Sequence, residues 1–161
     1  MKYYLDTEFY EDGRTIDLIS IGIVCEDGRR FYAVNKDADL LRVSDWVRAN
    51  VLPQLPPPNS PEWMTRAEIR EAVHAFTLGP EKPQFWAYYA DYDWVVLCQL
   101  FGTMMDLPKH MPMFCMDLKQ LAVMKGNPAL PKQESGEHNA INDACWNMRV
   151  HAFLENYICE T

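Results

Sequence analysis

The residues of this chain that could do chemistry are acids. In Tyr3-Tyr4-Leu5-Asp6-Thr7-Glu8-Phe9 an apolar run leads straight into Asp-Thr-Glu. On a strand, residues two apart point to the same side, so Asp6 and Glu8 present two carboxylates to one face. Two close anions repel unless a cation lies between them. Hard oxygen donors in that arrangement suit Mg²⁺ or Mn²⁺. A lone Asp-x-Glu is equally the solvated edge of an acidic protein, so the pair does not decide the matter alone.

Two further segments carry acids at element boundaries. In Trp86-Ala87-Tyr88-Tyr89-Ala90-Asp91-Tyr92-Asp93-Trp94-Val95-Val96-Leu97 a strand stops and a helix begins near Asp93. Acids are favoured at a helix N-terminus, where they cap N–H groups and meet the dipole's positive end. Asp91 fits that structural role. Asp93 is followed at once by an apolar helical stretch, so its carboxylate is expected to reach over the sheet edge toward the first strand. In Glu137-His138-Asn139-Ala140-Ile141-Asn142-Asp143 a histidine stands where a loop meets the last helix, and Asp143 lies one to two turns inside it. An imidazole is a base near neutrality and can take a proton from a water molecule. Taken singly, His138 reads as a surface histidine at a helix start. The order of the three motifs, each in the setting its chemistry needs, carries the functional reading.

The elements that must position these groups are legible in outline. Lys2 to Leu5, Ile16 to Cys25 and Arg29 to Val34 read as strands, joined by turns at Asp12-Gly13 and Glu26-Asp27-Gly28, which makes an antiparallel meander. Helices are expected over Asp39 to Ala49, from the capping box Thr65-Arg66-Ala67-Glu68 to Phe76, from Tyr92 to Phe101, from the N-cap Asp117 to Lys125, and over Asn139 to Tyr157. The last of these has Ile141, Ala144, Met148 and Ala152 on its apolar face. Strands are expected at Gln84 to Tyr89 and Met113 to Cys115. The proline-rich stretch Leu52 to Pro61 and the segment Gly126 to Gly136 read as loops, the latter mobile. The sum is an α/β fold: a mixed central sheet, an antiparallel N-terminal meander plus parallel strands, flanked by helices.

Bulk properties set the frame. The 161 residues fit one domain, 1–161, with 48% hydrophobic and 24% charged residues. The net charge of −8 argues against gripping long duplex DNA by charge alone, although carboxylates that bind cations would account for part of it. Five cysteines without CxxC spacing read as reduced thiols. The N-terminus is no signal peptide and no run is long enough to span a membrane, so a cytoplasmic location is expected.

The ordered set resembles the DEDD exonuclease superfamily in its histidine-containing DEDDh branch. Asp6 and Glu8 match the first motif, Asp93 in Tyr92-Asp93-Trp94 the second, and His138 and Asp143 the third. The stretch WAYYADYDWVVLCQLFG is similar to a small group of mycobacterial-type 3′-5′ exoribonucleases. The chain departs from many relatives in carrying Tyr88, Tyr89 and Ala90 just before the second motif.

That resemblance implies an RNase H-like fold and two divalent ions, Mg²⁺ or Mn²⁺, about 3.5–4 Å apart. Asp6 would bridge them, Glu8 and Asp143 would hold one, and Asp93 would help hold the other. His138 would be the base, and the product a nucleoside 5′-monophosphate from the 3′ end of single-stranded RNA or DNA. Thr7 and Phe9 are assigned to substrate, Phe9 by stacking on terminal bases; ordinary packing explains Phe9 equally well. Lys125 and Lys132 are candidates for phosphate contacts, and solvation is the commoner fate of such lysines. A homodimer is compatible with the resemblance, with Trp46, Trp63 and Trp86 serving an interface or the core. The competing readings are a DNA exonuclease of the proofreading or repair type, a nucleic-acid-binding protein of this fold without catalysis, and an interaction domain with a solvated acidic face. The presence of all five expected residues argues against the second, and the third leaves the ordered motifs to coincidence. The small size and the likeness to the mycobacterial-type group favour RNA.

Overall fold

A computed structural model describes residues 1–133 and 135–158. Six strands form one sheet: β1 (Lys2–Glu11), β2 (Ile16–Cys25), β3 (Arg30–Asn35), β4 (Trp63–Met64), β5 (Gln84–Ala87) and β6 (Met116–Asp117). Their order is β4-β3-β2-β1-β5-β6. The β1–β2 and β2–β3 pairs are antiparallel, and β3–β4, β1–β5 and β5–β6 are parallel. This is the mixed sheet, meander included, that the sequence implies. The helices are α1 (Asp45–Asn50), α2 (Arg66–Thr77), α3 (Ala90–Phe101), α4 (Leu118–Met124) and α5 (Ala140–Asn156).

The period-2 pattern of β1 divides the core. Tyr3 and Leu5 join Leu18, Ile21, Ile23, Phe85, Ile69 and Leu97 in the cluster beneath α2 and α3. Tyr4 points the other way and packs with Val24 and Ala144 beneath α5. β2 is apolar along most of its length because it lies between two strands and is covered on both faces. The Thr65–Glu68 capping box that opens α2 is present in both directions. Among the described residues Cys25, Cys98, Cys115 and Cys145 are free thiols; Cys159 lies outside them. No helix among them is long and apolar enough to cross a membrane.

Several expectations are corrected. β1 runs to Glu11 rather than Leu5, because β2 continues to pair with it through Glu11. The helix expected over 39–49 is confined to 45–50. Ser44 caps it by accepting the Val47 N–H, while Asp39 accepts the Leu41 N–H and holds the preceding segment in turns. The apolar spacing of Leu40, Val43 and Val47 still serves packing, against Ile19. β5 stops at Ala87, and α3 begins at Ala90 through Tyr89, whose φ of 58° turns the chain sharply. The last strand lies at 116–117, three residues beyond the expected one. On α5 the buried face is Ala140, Ala144, Asn147, Val150, His151 and Leu154 rather than the purely apolar stripe, and Ala152 is exposed.

That rotation has a polar cause. α5 runs antiparallel to β1 and meets it at successive turns. Asn147 Nδ2 donates to the Leu5 carbonyl at 2.8 Å, the Tyr4 hydroxyl lies 2.9 Å from His151 Nδ1, and Lys2 pairs with Glu155. Buried polar groups are tolerated when bonded in this way. At the helix's first turn Gly22, the β2 partner of Asp6, lies against its backbone. A Cβ on Gly22 would stand 2.2 Å from the Ala140 carbonyl oxygen. Neither atom belongs to a flexible side-chain tip, so Gly22→Ala must displace the helix. The expected cost is about 1–3 kcal/mol. For a chain of this size it lowers Tm by roughly 3–10 °C. Gly79→Ala, with open space around it, is expected to leave Tm unchanged; equal thermal melts for the two variants would refute the close contact.

Candidate active site

β1 outlasts its neighbour, and that creates the cleft. β5 pairs only with Lys2 to Tyr4, so from Asp6 onward the side of β1 facing β5 has no strand beside it. Backbone groups exposed there need partners. The Thr7 N–H finds one in Asp93: it donates to Oδ1 at 2.8 Å, and the Thr7 hydroxyl donates to the same oxygen at 2.6 Å. Asp93 therefore substitutes for the missing strand. Asp93 and Thr7 are both buried, whereas Asp91, on the same turn of α3, is exposed. Asp91 is not a hydrogen-bonding cap: the N-cap position is Tyr89, without a side-chain bond, and the Ala90 N–H is met by Asp117 Oδ2 at 2.7 Å. Asp117 Oδ1 meanwhile caps α4 at Gln120.

α5 supplies the fourth acid. Asp143 lies in its first turn, nearer the start than expected. Its Oδ2 accepts the backbone N–H of His138 at 2.9 Å, and its Oδ1 accepts from Gln133 Nε2 at 2.6 Å. The first bond fixes a tight turn in which His138 has φ 64°. The His138 ring stands edge-on to Trp46 of α1, with centroids 4.8 Å apart. Asn139 ties the same loop to the Gln54 carbonyl at 3.0 Å.

Donor atoms of Glu8, His138 and Asp143 lie within 4.8 Å of one another. Asp6, Glu8, Asp93, His138 and Asp143 border one cavity of about 240 Å³, together with Thr7, Phe9, Tyr89 and Tyr92. A second cavity of about 590 Å³ opens beside it, bordered by Asp6, Tyr88, Gln133, His138, Asp143 and Trp146. Phe9 stacks on Tyr92 at 5.6 Å with rings 9° from parallel, and Tyr92 is more than half exposed. Lys132 borders the larger cavity, whereas the Lys125 ammonium donates to the Tyr157 carbonyl. Gln133 and Asn147 were not singled out from the sequence, and Trp46 was expected at an interface or in the core rather than beside His138. Only Asn147, four residues after Asp143 on the same helix face, carried a signal in the sequence.

The four carboxylates share one electrostatic problem. Burial pushes the Asp6 carboxyl well above the usual range, and Asp93, Asp143 and Glu8 add to the effect. Glu8 is pushed up to about 8 by burial, then by Asp143 and Asp93. Asp93 is raised to about 7 by burial, against the lowering effect of its Thr7 bonds. Asp143 is also raised by burial, countered by Gln133 and the His138 N–H. Clustered carboxylates with an imidazole beside them are a donor set that fits a hard divalent cation.

A family model described as the 3′-5′ exoribonuclease Rv2179c-like domain matches residues 1–154. Two proteins of Mycobacterium tuberculosis, 3′-5′ exoribonuclease Rv2179c of strain H37Rv and 3′-5′ exoribonuclease MT2234.1 of strain CDC 1551, are each 47% identical over 146 residues. That alignment covers 89% of this chain and 87% of theirs. Among solved structures, E. coli exonuclease I in complex with a dT13 oligonucleotide superposes with a TM-score of 0.66 at 13% identity. It covers 96% of this chain, which spans 41% of that one. S. pombe Pop2p in its Mg²⁺- and Mn²⁺-bound form gives a TM-score of 0.58 at 12% identity, over 97% of this chain and 83% of its own. At such identities the likeness speaks to the fold, which is the RNase H-like one expected from the sequence.

The raised carboxyls set a pH dependence. A folded state whose acids titrate near 7 to 8 binds more protons than the unfolded chain, whose acids titrate near 4. The stability of the chelated protein therefore falls as pH rises from about 4 to 8. Tm in chelator is expected to be lower at pH 8.5 than at pH 5.5, and Glu8→Gln should flatten that slope. An ion at a hundredfold excess over its Kd contributes about 2.7 kcal/mol. That corresponds to roughly 5–10 °C, and Mn²⁺ should raise Tm more at pH 8.5 than at 5.5. A Tm indifferent to Mn²⁺ at both pH values would exclude the cation site.

Proposed function

The chain belongs to the Rv2179c-like 3′-5′ exoribonuclease domain family, and we propose that it removes nucleoside 5′-monophosphates one at a time from the 3′ end of single-stranded RNA. The observation that carries this reading is convergence. Asp6 and Glu8 of β1, Asp93 of α3, and His138 and Asp143 at the start of α5 meet at one cleft, although 137 positions separate the first from the last. The RNA assignment is supported by the exoribonuclease activity for which the Mycobacterium tuberculosis relatives are named. On this reading residues 1–161 act as one exonuclease domain.

Glu8 and Asp143 would hold one divalent ion beside His138, Asp6 would bridge to a second, and Asp93 would help hold that one. Bound Mg²⁺ or Mn²⁺ supplies Lewis acidity toward the phosphate and neutralises charge that the four acids cannot. His138 stands where it can accept a proton from the attacking water as the water's oxygen bonds to phosphorus. The bond from phosphorus to the 3′ oxygen of the preceding nucleotide breaks, and that oxygen takes a proton from solvent to become the new 3′-hydroxyl. The Asp143 bond to the His138 backbone keeps base and ion-binding acid in register. Thr7 acts by holding Asp93, since both its polar groups are turned to that carboxylate. Phe9, braced by Tyr92, offers a face to the terminal base, worth about 1–3 kcal/mol per stacked base.

The test uses 5′-labelled single-stranded RNA and matched DNA with Mg²⁺, Mn²⁺ or chelator. RNA is expected to shorten from the 3′ end, faster than DNA, and to stay intact in chelator. Asp93→Asn should remove activity. His138→Ala should lower kcat by about 10²–10⁴ while leaving the Mn²⁺-induced rise in Tm in place. Intact RNA under every metal condition, with binding retained, would instead make the chain a binding protein.

A further inference from the structure

A cavity away from the acidic cluster brings three arginines together in a chain whose net charge is −8. It has a volume of about 510 Å³ and is bordered by Tyr10, Arg14, Asp17, Arg42, Arg66 and Gln99, among others. Three of the chain's 15 basic residues meet there. The cavities at the acidic centre have one lysine or arginine between them among the described residues, Lys132.

The three arginines are held differently. Arg66 is anchored, with Nη1 on Asp17 at 2.9 Å and Nη2 on the Gln99 carbonyl at 3.2 Å. Arg42 lies over the Tyr10 ring at 5.6 Å and reaches Asp12 at 3.3 Å, with more than half its side chain exposed. The Arg14 guanidinium has no hydrogen-bond acceptor among the described residues and is exposed. Of the acids at or beside the cavity, Asp17 is paired with Arg66 and Asp12 with Arg42, and Asp39 keeps its charge while accepting the Leu41 N–H, so Arg14 is the one arginine of the three without a carboxylate partner among the described residues.

Two chain segments connect this cavity to the acids. Along β1, Tyr10 is two residues beyond Glu8, about 7 Å. Along the other wall, Arg42 precedes by four residues Trp46, whose ring abuts His138; four residues span at most about 14 Å. A strand whose 3′ end lay at the acids would thus pass Trp46 and Tyr10, both aromatic, before meeting Arg42 and Arg14. Alternation of aromatic faces and arginines is how a protein binds single-stranded nucleic acid without reading sequence.

We propose that Arg14 and Arg42, the latter braced over the Tyr10 ring, form a subsite for upstream phosphates of the same RNA strand whose 3′ end is cleaved. This rests on the exonuclease reading and extends it: a long strand is held at two places, a dinucleotide at one. Arg66 is a positioning residue that keeps the wall in place through Asp17.

The experiment compares kcat/KM of the Mn²⁺-loaded protein on an RNA dinucleotide and on an oligonucleotide long enough to reach both cavities, over a range of salt. Arg14→Gln/Arg42→Gln is expected to lower kcat/KM about tenfold on the oligonucleotide and leave it unchanged on the dinucleotide, with Tm unaffected. The slope of log(kcat/KM) against log[salt] should become shallower by about 0.7 for each phosphate no longer neutralised. Arg14→Lys/Arg42→Lys should keep most of the salt slope. Equal decreases on both substrates, or no decrease on either, would overturn the subsite. If the unaltered protein cleaved neither, the exonuclease reading would fail. Anisotropy of the labelled oligonucleotide would then decide the subsite by itself: weaker binding by the double variant upholds it, and equal binding overturns it.

Discussion

The arrangement hangs on a contact between two backbones. Gly22 of β2 lets the first turn of α5 come down onto the sheet at Ala140, directly across from Asp6. With any side chain at Gly22 the helix would stand off, and Asp143 and His138 with it. Asn147, His151 and Glu155 then fasten the helix along β1 from Leu5 back to Lys2. The depth of the helix is set by sterics and its rotation by hydrogen bonds. Both are needed to aim Asp143 at the two acids of β1.

The site stores unfavourable energy that packing must hold. Four carboxylates are brought together partly out of water, where burial and mutual repulsion both favour protonation. Among the described residues, two of the three non-glycine residues with positive φ, Tyr89 and His138, lie at the turns that deliver Asp93 and the histidine. Each such conformation costs of order 1–3 kcal/mol and persists only where the surroundings over-determine it. Here Asp117 holds the turn after Tyr89, and Asp143 holds His138. An acid of the cleft thus also braces the histidine beside it.

The sheet makes room for this chemistry by stopping early. β5 ends at Ala87 while β1 continues to Glu11, so a stretch of β1 lies open beside Asp6 and Glu8. Thr7 turns that open edge into a clamp on Asp93, which couples a helix N-terminus to a strand with two short hydrogen bonds. Phe9 and Tyr92 repeat the coupling one step further along by stacking.

Features that depend on near neighbours can be read from the order of residues. The meander follows from β-rich runs separated by Asp-Gly turns, the start of α2 from the capping box, and the start of α4 from Asp117. The pairing of Asp6 with Glu8 on one face follows from the two-residue period of a strand. The later residues Asp93, His138 and Asp143 were legible because each stands at or just before the start of a helix, whereas Asp6 and Glu8 lie in the middle of β1. Features that rest on distant partners were settled only when the chain packed. The length of β1 depended on β2, and the shrinkage of α1 on a cap and a turn that outweighed apolar spacing. The rotation of α5 was set by polar groups bonding to β1, which an apolar periodicity does not register. The different fates of Asp91 and Asp93, two residues apart on one helical turn, came from where β5 ended and Thr7 was left unpaired. A local pattern records which groups are available, and long-range packing decides which of them meet.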